Sequence, residues 1–101
     1  MTSIFLCLPA FALGAKGVVV YIYTESGCSY YVVETPFMGY ALLQWFGGSI
    51  PSRGDVLIGN YESYGMKDIY NITKDSDTSA WVDNFWMSKD CAMERYFEKC
   101  H

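Results

Sequence analysis

The feature that most constrains the fold is an unbroken run of β-branched and aromatic residues near the start of the chain. Residues 18–23 read Val-Val-Val-Tyr-Ile-Tyr, and these residue types favour the half-buried, pleated surface of a β-strand. A continuous apolar run is typical of a strand that is covered on both faces. Residues 29–34 repeat the pattern after a turn at residues 25–27, so residues 17–35 are predicted to form a hairpin.

Further apolar segments follow the hairpin, each preceded by turn residues. They span residues 40–46, 55–60, 67–72 and 80–85, of which the last is short. Residues 40–46 would also fit one short helix, but the aromatic end followed by Gly47 and Gly48 favours a strand. The sequence therefore predicts a mainly β fold, a small antiparallel barrel of about five to six strands.

The C-terminal residues 88–100 have the pattern of an amphipathic α-helix. Ser88 is the expected N-cap and Asp90 lies in the first turn, where a negative charge is favourable. One side of this helix is apolar, and charged residues occupy most of the remaining surface. The apolar side comprises Trp86, Met93, Tyr96, Phe97 and Cys100. We expect the helix to close the barrel.

The order of these elements over residues 17–72 resembles the layout of small barrels of the oligonucleotide-binding (OB) and SH3-like type. A terminal helix departs from the OB layout, which places its helix between the third and fourth strands. The resemblance implies an architecture alone, because one small barrel fold can serve many functions. No functional residue is carried over from it.

Residues 4–15 form an apolar run that ends in small residues and is followed by Lys16. The run resembles the hydrophobic region of a secretory signal, with cleavage after Gly14, although no Lys or Arg precedes it. About a dozen apolar residues are too few for a membrane-spanning helix, which needs about 20. We expect residues 1–15 to be a signal peptide, residues 16–101 to form a single barrel domain, and the protein to be secreted or periplasmic without a permanent membrane anchor. The alternative is that residues 4–15 form a buried first strand or helix.

The four cysteines, Cys7, Cys28, Cys91 and Cys100, allow few disulfides. Signal cleavage would remove Cys7 and leave an odd number of thiols. In a helix, Cys91 and Cys100 would lie about 13 Å apart along the axis, whereas a disulfide needs Cα atoms within about 7 Å. The expected bridge therefore joins Cys28 to Cys91 or to Cys100. In a reducing compartment all of these thiols would stay unpaired.

Catalytic and metal-binding groups are scarce in the sequence. The only histidine is the terminal His101 and there is no Cys-x-x-Cys motif, which argues against a zinc site and against hydrolysis by a Ser or Cys nucleophile with an imidazole base. The glycine-containing turns match no phosphate-binding pattern, so no metal and no cofactor is expected. We predict that the protein is not an enzyme. The enzymatic alternative is a carboxylate-based hydrolase that uses Asp55 and Asp68.

Aromatic side chains beside glycines are the best candidates for ligand binding. They are Trp45, Tyr61, Tyr64 and Tyr70. Exposed rings at such positions can stack on a sugar, a base or a side chain of a partner. The alternative is that these rings fill the core of the barrel. The predicted function is thus a non-catalytic binding or structural domain, whose partner is an unknown protein or small ligand.

The net charge of −4 has the wrong sign for attraction to a phosphate backbone, which disfavours a nucleic-acid partner. The alternative from this class is a single-strand nucleic-acid binder that uses Arg53, Lys67 and Lys74.

Two short motifs carry little information about function. The Asn71-Ile72-Thr73 sequon arises often by chance, and residues 75–86 lack the glycine and glutamate of a calcium-binding loop.

Overall fold

The computed structural model describes residues 15–22, 28–37 and 39–100. The strands are β1 (Ala15–Ile22), β2 (Tyr30–Glu34), β3 (Tyr40–Gly48), β4 (Val56–Gly59), β5 (Gly65–Asn71) and β6 (Ser76–Met87), and the helix is α1 (Lys89–Lys99). The mainly β prediction with a C-terminal helix is confirmed, and residues 40–46 belong to a strand. Most of the predicted signal peptide, Cys7, the turn at residues 25–27 and His101 lie outside the described residues.

The strands form a closed antiparallel barrel in the order β1-β2-β3-β6-β5-β4. Two consecutive three-stranded meanders are joined where β3 pairs with β6 and where β1 pairs with β4. At the second junction Ala15 lies opposite Gly59 and Val18 lies opposite Val56. Strand pairing therefore closes the barrel, and the expectation that the helix closes it was wrong. The OB/SH3-like label is compatible with this architecture and stays a prediction.

Strand β6 is much longer than its apolar segment suggests. It has 12 residues and pairs with β3 on one side and β5 on the other. Residues 76–79 are polar and lie between the predicted strands 67–72 and 80–85, but they are part of this strand because its alternate side chains face water. The inward-facing Thr78 satisfies its hydroxyl by donating to the Gly47 carbonyl oxygen over 3.1 Å. The preceding turn spans residues 72–75.

The barrel has two hydrophobic cores, one inside it and one on its outer face. Strand β2 contributes to both, because successive side chains point to opposite faces. Tyr31 and Val33 face the interior, whereas Val32 packs beneath α1. All three side chains are fully buried. This two-sided burial explains why the early strands have continuous apolar sequences rather than alternating ones.

Helix α1 lies on the outer face of the barrel over β2, β3 and β6, and the Tyr21 ring of β1 contacts its aromatic side chains. Its N-cap is Ser88, as predicted, whose hydroxyl accepts a hydrogen bond from the Cys91 amide over 3.2 Å. Ala92 and Tyr96 are the buried residues of the helix. Trp86, which the sequence places on the apolar side of this helix, belongs to β6 and is exposed. Within residues 15–22, 28–37 and 39–100, no helix has the length and apolar character needed to cross a membrane.

A disulfide joins Cys28 to Cys100, with 5.5 Å between the two Cα atoms. The prediction that Cys28 pairs with one member of the C-terminal cysteine pair is confirmed. The bridge ties the C-terminal end of α1 to the chain just before β2. Cys91 lies in the helix and, within the described residues, has no disulfide partner.

A buried carboxylate links the β3–β4 loop to the turn after β5. The Asp55 carboxylate accepts hydrogen bonds from the Asn71 side-chain amide at 2.8 Å and the Ser52 amide at 2.9 Å, and its oxygen lies 3.4 Å from Lys74 Nζ. Burial alone would raise the pKa of Asp55. The hydrogen bonds from Asn71 and Ser52 and the charge of Lys74 outweigh burial, so the pKa lies below its ordinary value.

The disulfide closes a loop with a sequence separation of 72 residues, so its removal should cost much stability. We expect the double variant Cys28→Ser/Cys100→Ser to lose about 4 kcal/mol of unfolding free energy in a urea titration, because the unfolded chain gains conformational freedom. Cys91→Ser is the matched control and should lower this free energy much less, because Cys91 is only partly buried and has no disulfide partner within the described residues. Equal stability of the double variant and the wild type would contradict the bridge.

Asp55→Asn should destabilise the fold by about 2 kcal/mol at pH 7, because the charge-assisted hydrogen bonds are lost. The folded-state pKa of Asp55 is depressed, so its stabilising contribution exists above the unfolded-state pKa and is lost as the pH falls through the folded-state value. The stability difference between variant and wild type should therefore narrow below about pH 4. Urea titrations at pH 7, 5 and 3 measure this difference, and a constant difference would contradict the assignment.

Candidate functional site

Two of the four predicted aromatic residues belong to the interior of the barrel. Tyr61 is only 1% exposed, and its hydroxyl donates to the Leu57 carbonyl oxygen over 3.0 Å. Trp45 packs against the interior core, with its indole N–H 3.2 Å from the Ser49 carbonyl oxygen. The core-filling alternative therefore describes Tyr61, whose ring is not available for stacking at the surface. Trp45 is partly buried because its ring also packs against the interior core.

The other two aromatic residues are exposed but do not converge. Tyr64 precedes β5, is 63% exposed and has its ring centroid 4.8 Å from that of Phe85. Tyr70 lies near the other end of β5, and its hydroxyl donates to the Asp75 carboxylate. A role for either ring in ligand binding stays a prediction. The structure does not bring the four predicted residues together as one site.

The carboxylates of the hydrolase alternative face different sides of the sheet. Asp55 binds the buried, inward-facing Asn71. Asp68 comes three residues earlier on β5 and is exposed, so its side chain lies on the opposite, outer face. The alternative requires these two groups in one cleft. The described residues provide no such convergence.

The basic residues of the nucleic-acid alternative are engaged at separate places. The Arg53 guanidinium lies over the Tyr21 ring at 5.9 Å, and Lys74 binds the Asp55 carboxylate. Lys67 donates to the Ser63 hydroxyl over 2.6 Å, towards the end of β5 that is distant from Lys74. These contacts give no continuous basic stripe.

The sequon asparagine is also committed to the fold. Asn71 is fully buried and its side-chain amide donates to Asp55. Its carbonyl oxygen accepts from the Lys74 amide at 2.9 Å. A glycan could not be attached to this nitrogen without breaking the buried network.

A different candidate site lies on the outer face of the barrel, along a row of paired residues. Val18 on β1 lies opposite both Val56 on β4 and Glu34 on β2, and Glu34 lies opposite Tyr40 on β3. Directly opposed residues share one face of a sheet. Glu34 is therefore a single carboxylate within an apolar and aromatic row.

Two open depressions meet at Glu34, and together we call them the Glu34 groove. The first has a volume of about 410 Å³ and is lined by Lys16, Gly17, Val18, Glu34, Thr35, Pro36 and Val56. The second has a volume of about 290 Å³ and is lined by Val20, Tyr21, Glu34, Tyr40, Lys89 and Met93. Their size lies at the lower end of the range for small-ligand sites, and a mostly apolar lining with a few polar groups is typical of such sites.

The electrostatics of the groove are set by Glu34 and its neighbours. Removal from water, the charge of Glu34 and a hydrogen bond to the Glu34 carboxylate all raise the pKa of Tyr40. Among the described residues, no lysine or arginine forms a salt bridge with Glu34. Lys16 and Lys89 line the first and second depressions respectively. The carboxylate is therefore oriented by Tyr40 and remains accessible to a cation from outside.

Local backbone geometry holds the walls of the groove in place. Both the amide and the hydroxyl of Thr35 donate to the Gly39 carbonyl oxygen, at 2.9 and 2.7 Å. Gly39 has a φ of +68°, and a Cβ there would lie 2.6 Å from the Met87 carbonyl oxygen. Only glycine fits this conformation and this close approach, so it keeps the β2–β3 turn tight beside the groove. The Ser88 cap similarly fixes where Lys89 begins the helix.

No pattern in the sequence indicated this site. Glu34 appeared only as the last residue of a predicted strand, and Lys16 only as the residue after the apolar run. The available signal is one charged residue, Glu34, at an outward position of an otherwise apolar strand. The partners of that residue come from β1, β3 and β4, and the pairing of these strands has no local signature.

We expect Glu34→Gln to lower the pKa of Tyr40 towards its ordinary value, because the substitution removes the neighbouring negative charge. A pH titration of the protein labelled with carbon-13 at the tyrosine ring ζ position reports this pKa by NMR. Asp68→Asn, which removes an outward carboxylate from β5, is the control and should leave the titration of Tyr40 unchanged. An unchanged pKa in Glu34→Gln would refute the contact.

In comparisons with the chain, no protein-family model matched, and no curated protein and no solved structure matched with significant similarity.

Proposed function

We propose that the protein is an exported, non-catalytic binding domain whose ligand is held in the Glu34 groove. The observation that carries this proposal is a single accessible carboxylate between two apolar depressions. A binding site of this kind fixes the orientation of a ligand through few polar contacts and holds it by apolar contact. The ligand is a small molecule or a segment of another protein.

Export is supported by the disulfide. Disulfides persist in oxidising compartments such as the periplasm and the extracellular space, and Cys28 is bridged to Cys100.

The chemistry of the groove favours binding over catalysis. Among the described residues, Glu34 and the two lysines are the ionisable groups of its lining besides tyrosine, and none of them is a second carboxylate that could act as an acid–base partner. The described lining likewise holds no serine, cysteine or histidine. A bound molecule would thus contact the Glu34 carboxylate and the apolar side chains of the lining.

A substitution that fills the groove tests the proposal. Val18 faces outward and is 39% exposed, so Val18→Arg should leave the fold intact while its side chain obstructs the first depression. In an amide NMR screen with a library of small molecules and short peptides, ligands should shift the signals of Gly17, Thr35 and Met93. Val18→Arg should weaken their binding at least about tenfold, a loss of about 1.4 kcal/mol.

The control is Met66→Arg, because Met66 is an exposed residue of β5 outside the groove. This variant should bind the same ligands as the wild type does. Ligand-induced shifts confined to residues around Tyr64 or Tyr70, with equal affinity for Val18→Arg, would contradict the proposal.

A further inference from the structure

We infer that the outer face of β5 and β6 is a second interaction surface, which binds an arginine-bearing segment of a partner protein. This surface is separate from the Glu34 groove and goes beyond the proposed function. We call it the Trp81 face, and it consists of the outward residues Asp68, Tyr70, Asp77, Ser79 and Trp81.

The pairing of β5 with β6 fixes the geometry of the Trp81 face. The register between the two strands runs without a shift along the whole of β5, and Asp68 lies directly opposite Ser79. Trp81 and Asp77 stand two residues to either side of Ser79 on β6. Each is therefore a diagonal neighbour of Asp68, at about 7 to 8 Å, which is within reach of long side chains. One side chain of a bound segment can thus contact the Asp68 carboxylate and the Trp81 ring together.

Two aromatic rings of the face are open to a partner. Trp81 is 41% exposed and Tyr70 is 39% exposed. Tryptophan is the best aromatic partner for a cation that lies over its ring, and tryptophan and arginine are among the residues that most often dominate the binding energy of an interface. The Tyr70 hydroxyl donates to the Asp75 carboxylate. This hydrogen bond holds a further negative charge at the end of the face.

The charge of the Trp81 face has a single sign. Asp68 and Asp77 are exposed, and among the described residues neither forms a salt bridge with a lysine or arginine. Lys67 is the only basic residue of β5 and β6. It lies opposite the fully buried Ala80, so it belongs to the inward side of β5. The outward side of these strands therefore attracts positive charge.

Two lysines near the face leave its charge largely uncompensated. Lys74, in the turn between β5 and β6, directs its Nζ to the Asp55 carboxylate. Lys16 lies opposite Ile58 on β4, and Ile58 lies opposite Tyr70, so two strand spacings, about 10 Å, separate Lys16 from Tyr70. That is about one screening length at an ionic strength of 0.1 M.

Shape and charge together select the class of occupant. The outer surface of a closed barrel is convex, whereas small molecules bind in concave sites. Nucleic acids and membranes of anionic lipid have the same sign of charge as the face, and a second copy of the chain has a net charge of −4. A protein segment with arginine fits, because a guanidinium group can lie over the Trp81 ring and donate two hydrogen bonds to a carboxylate.

The test is an NMR titration of the intact, oxidised protein, labelled with nitrogen-15, with a capped six-residue peptide of alternating arginine and serine. The Trp81 indole N–H and the amides of Asp68 and Ser79 should shift on binding. A peptide with the neutral isostere citrulline in place of each arginine should bind at least about tenfold more weakly. Trp81→Thr and Asp68→Asn should each weaken binding of the arginine peptide about threefold to fivefold.

Two variants outside the face are the matched controls. Glu98→Gln removes an exposed carboxylate of α1. Trp86→Asn removes the other exposed tryptophan of β6, at a φ of +59° that asparagine tolerates. Both control variants should bind the arginine peptide as the wild type does.

Several outcomes would overturn the inference. They are the absence of any shift, equal affinity for the citrulline peptide, unchanged affinity in both Trp81→Thr and Asp68→Asn, and weakening by Glu98→Gln as large as that by Asp68→Asn, which would show that binding follows net charge alone. Shifts confined to residues around the Glu34 groove would also overturn it, while leaving the proposed function intact.

Discussion

The packing of helix α1 against the outer face of the barrel is the interaction on which the rest of the structure depends. The helix buries Val32, Leu42 and Met87, which strand alternation places outside the barrel, where water would otherwise reach them. A domain of about 100 residues buries only about 60 to 65% of the surface exposed by its unfolded chain, so a second core matters. The helix is fixed at one end by the Ser88 cap and at the other by the bridge to Cys28.

The limited reach of the helix also creates the groove. Helix α1 lies over β2, β3 and β6, and Met93 and Lys89 line the second depression. Beyond the helix no described residue covers the sheet at Val18 and Val56, which line the first depression. The position of the groove therefore depends on where the helix packs to form the second core. Its position is as rigid as the contact between helix and sheet.

Several elements were predictable from local sequence because their physical cause is local. The apolar run at residues 18–23, the Ser88 cap and the helical separation of Cys91 from Cys100 each depend on neighbouring residues alone. They led to the hairpin, the helix and a bridge that starts from Cys28. Closure of the barrel through β1 and β4, in contrast, depends on pairing between segments that lie far apart in the chain.

The incorrect predictions concern features that depend on contacts between distant segments of the chain. The sequence 76–79 is polar and resembles a loop, yet it extends β6 because the outer side of the barrel is solvated there. Tyr61 and Tyr64 look equivalent beside their glycines, but Tyr61 turns into the interior and Tyr64 does not. Trp86 has the spacing of the apolar helical side chains, but the helix starts only at Lys89. The Glu34 groove needs residues from three other strands and the helix, so no linear pattern indicates it.

Disulfide mapping of protein purified from its natural source under non-reducing conditions tests this account most directly. Trypsin cuts after Arg95 and Lys99, so Cys91 and Cys100 fall on separate peptides. The account predicts that the peptide with Cys28 is linked to the peptide with Cys100 and that Cys91 is alkylated without reduction. A bridge that includes Cys91 would contradict the clamped helix, and alkylation of both Cys28 and Cys100 before reduction would contradict both the clamped helix and the proposed export.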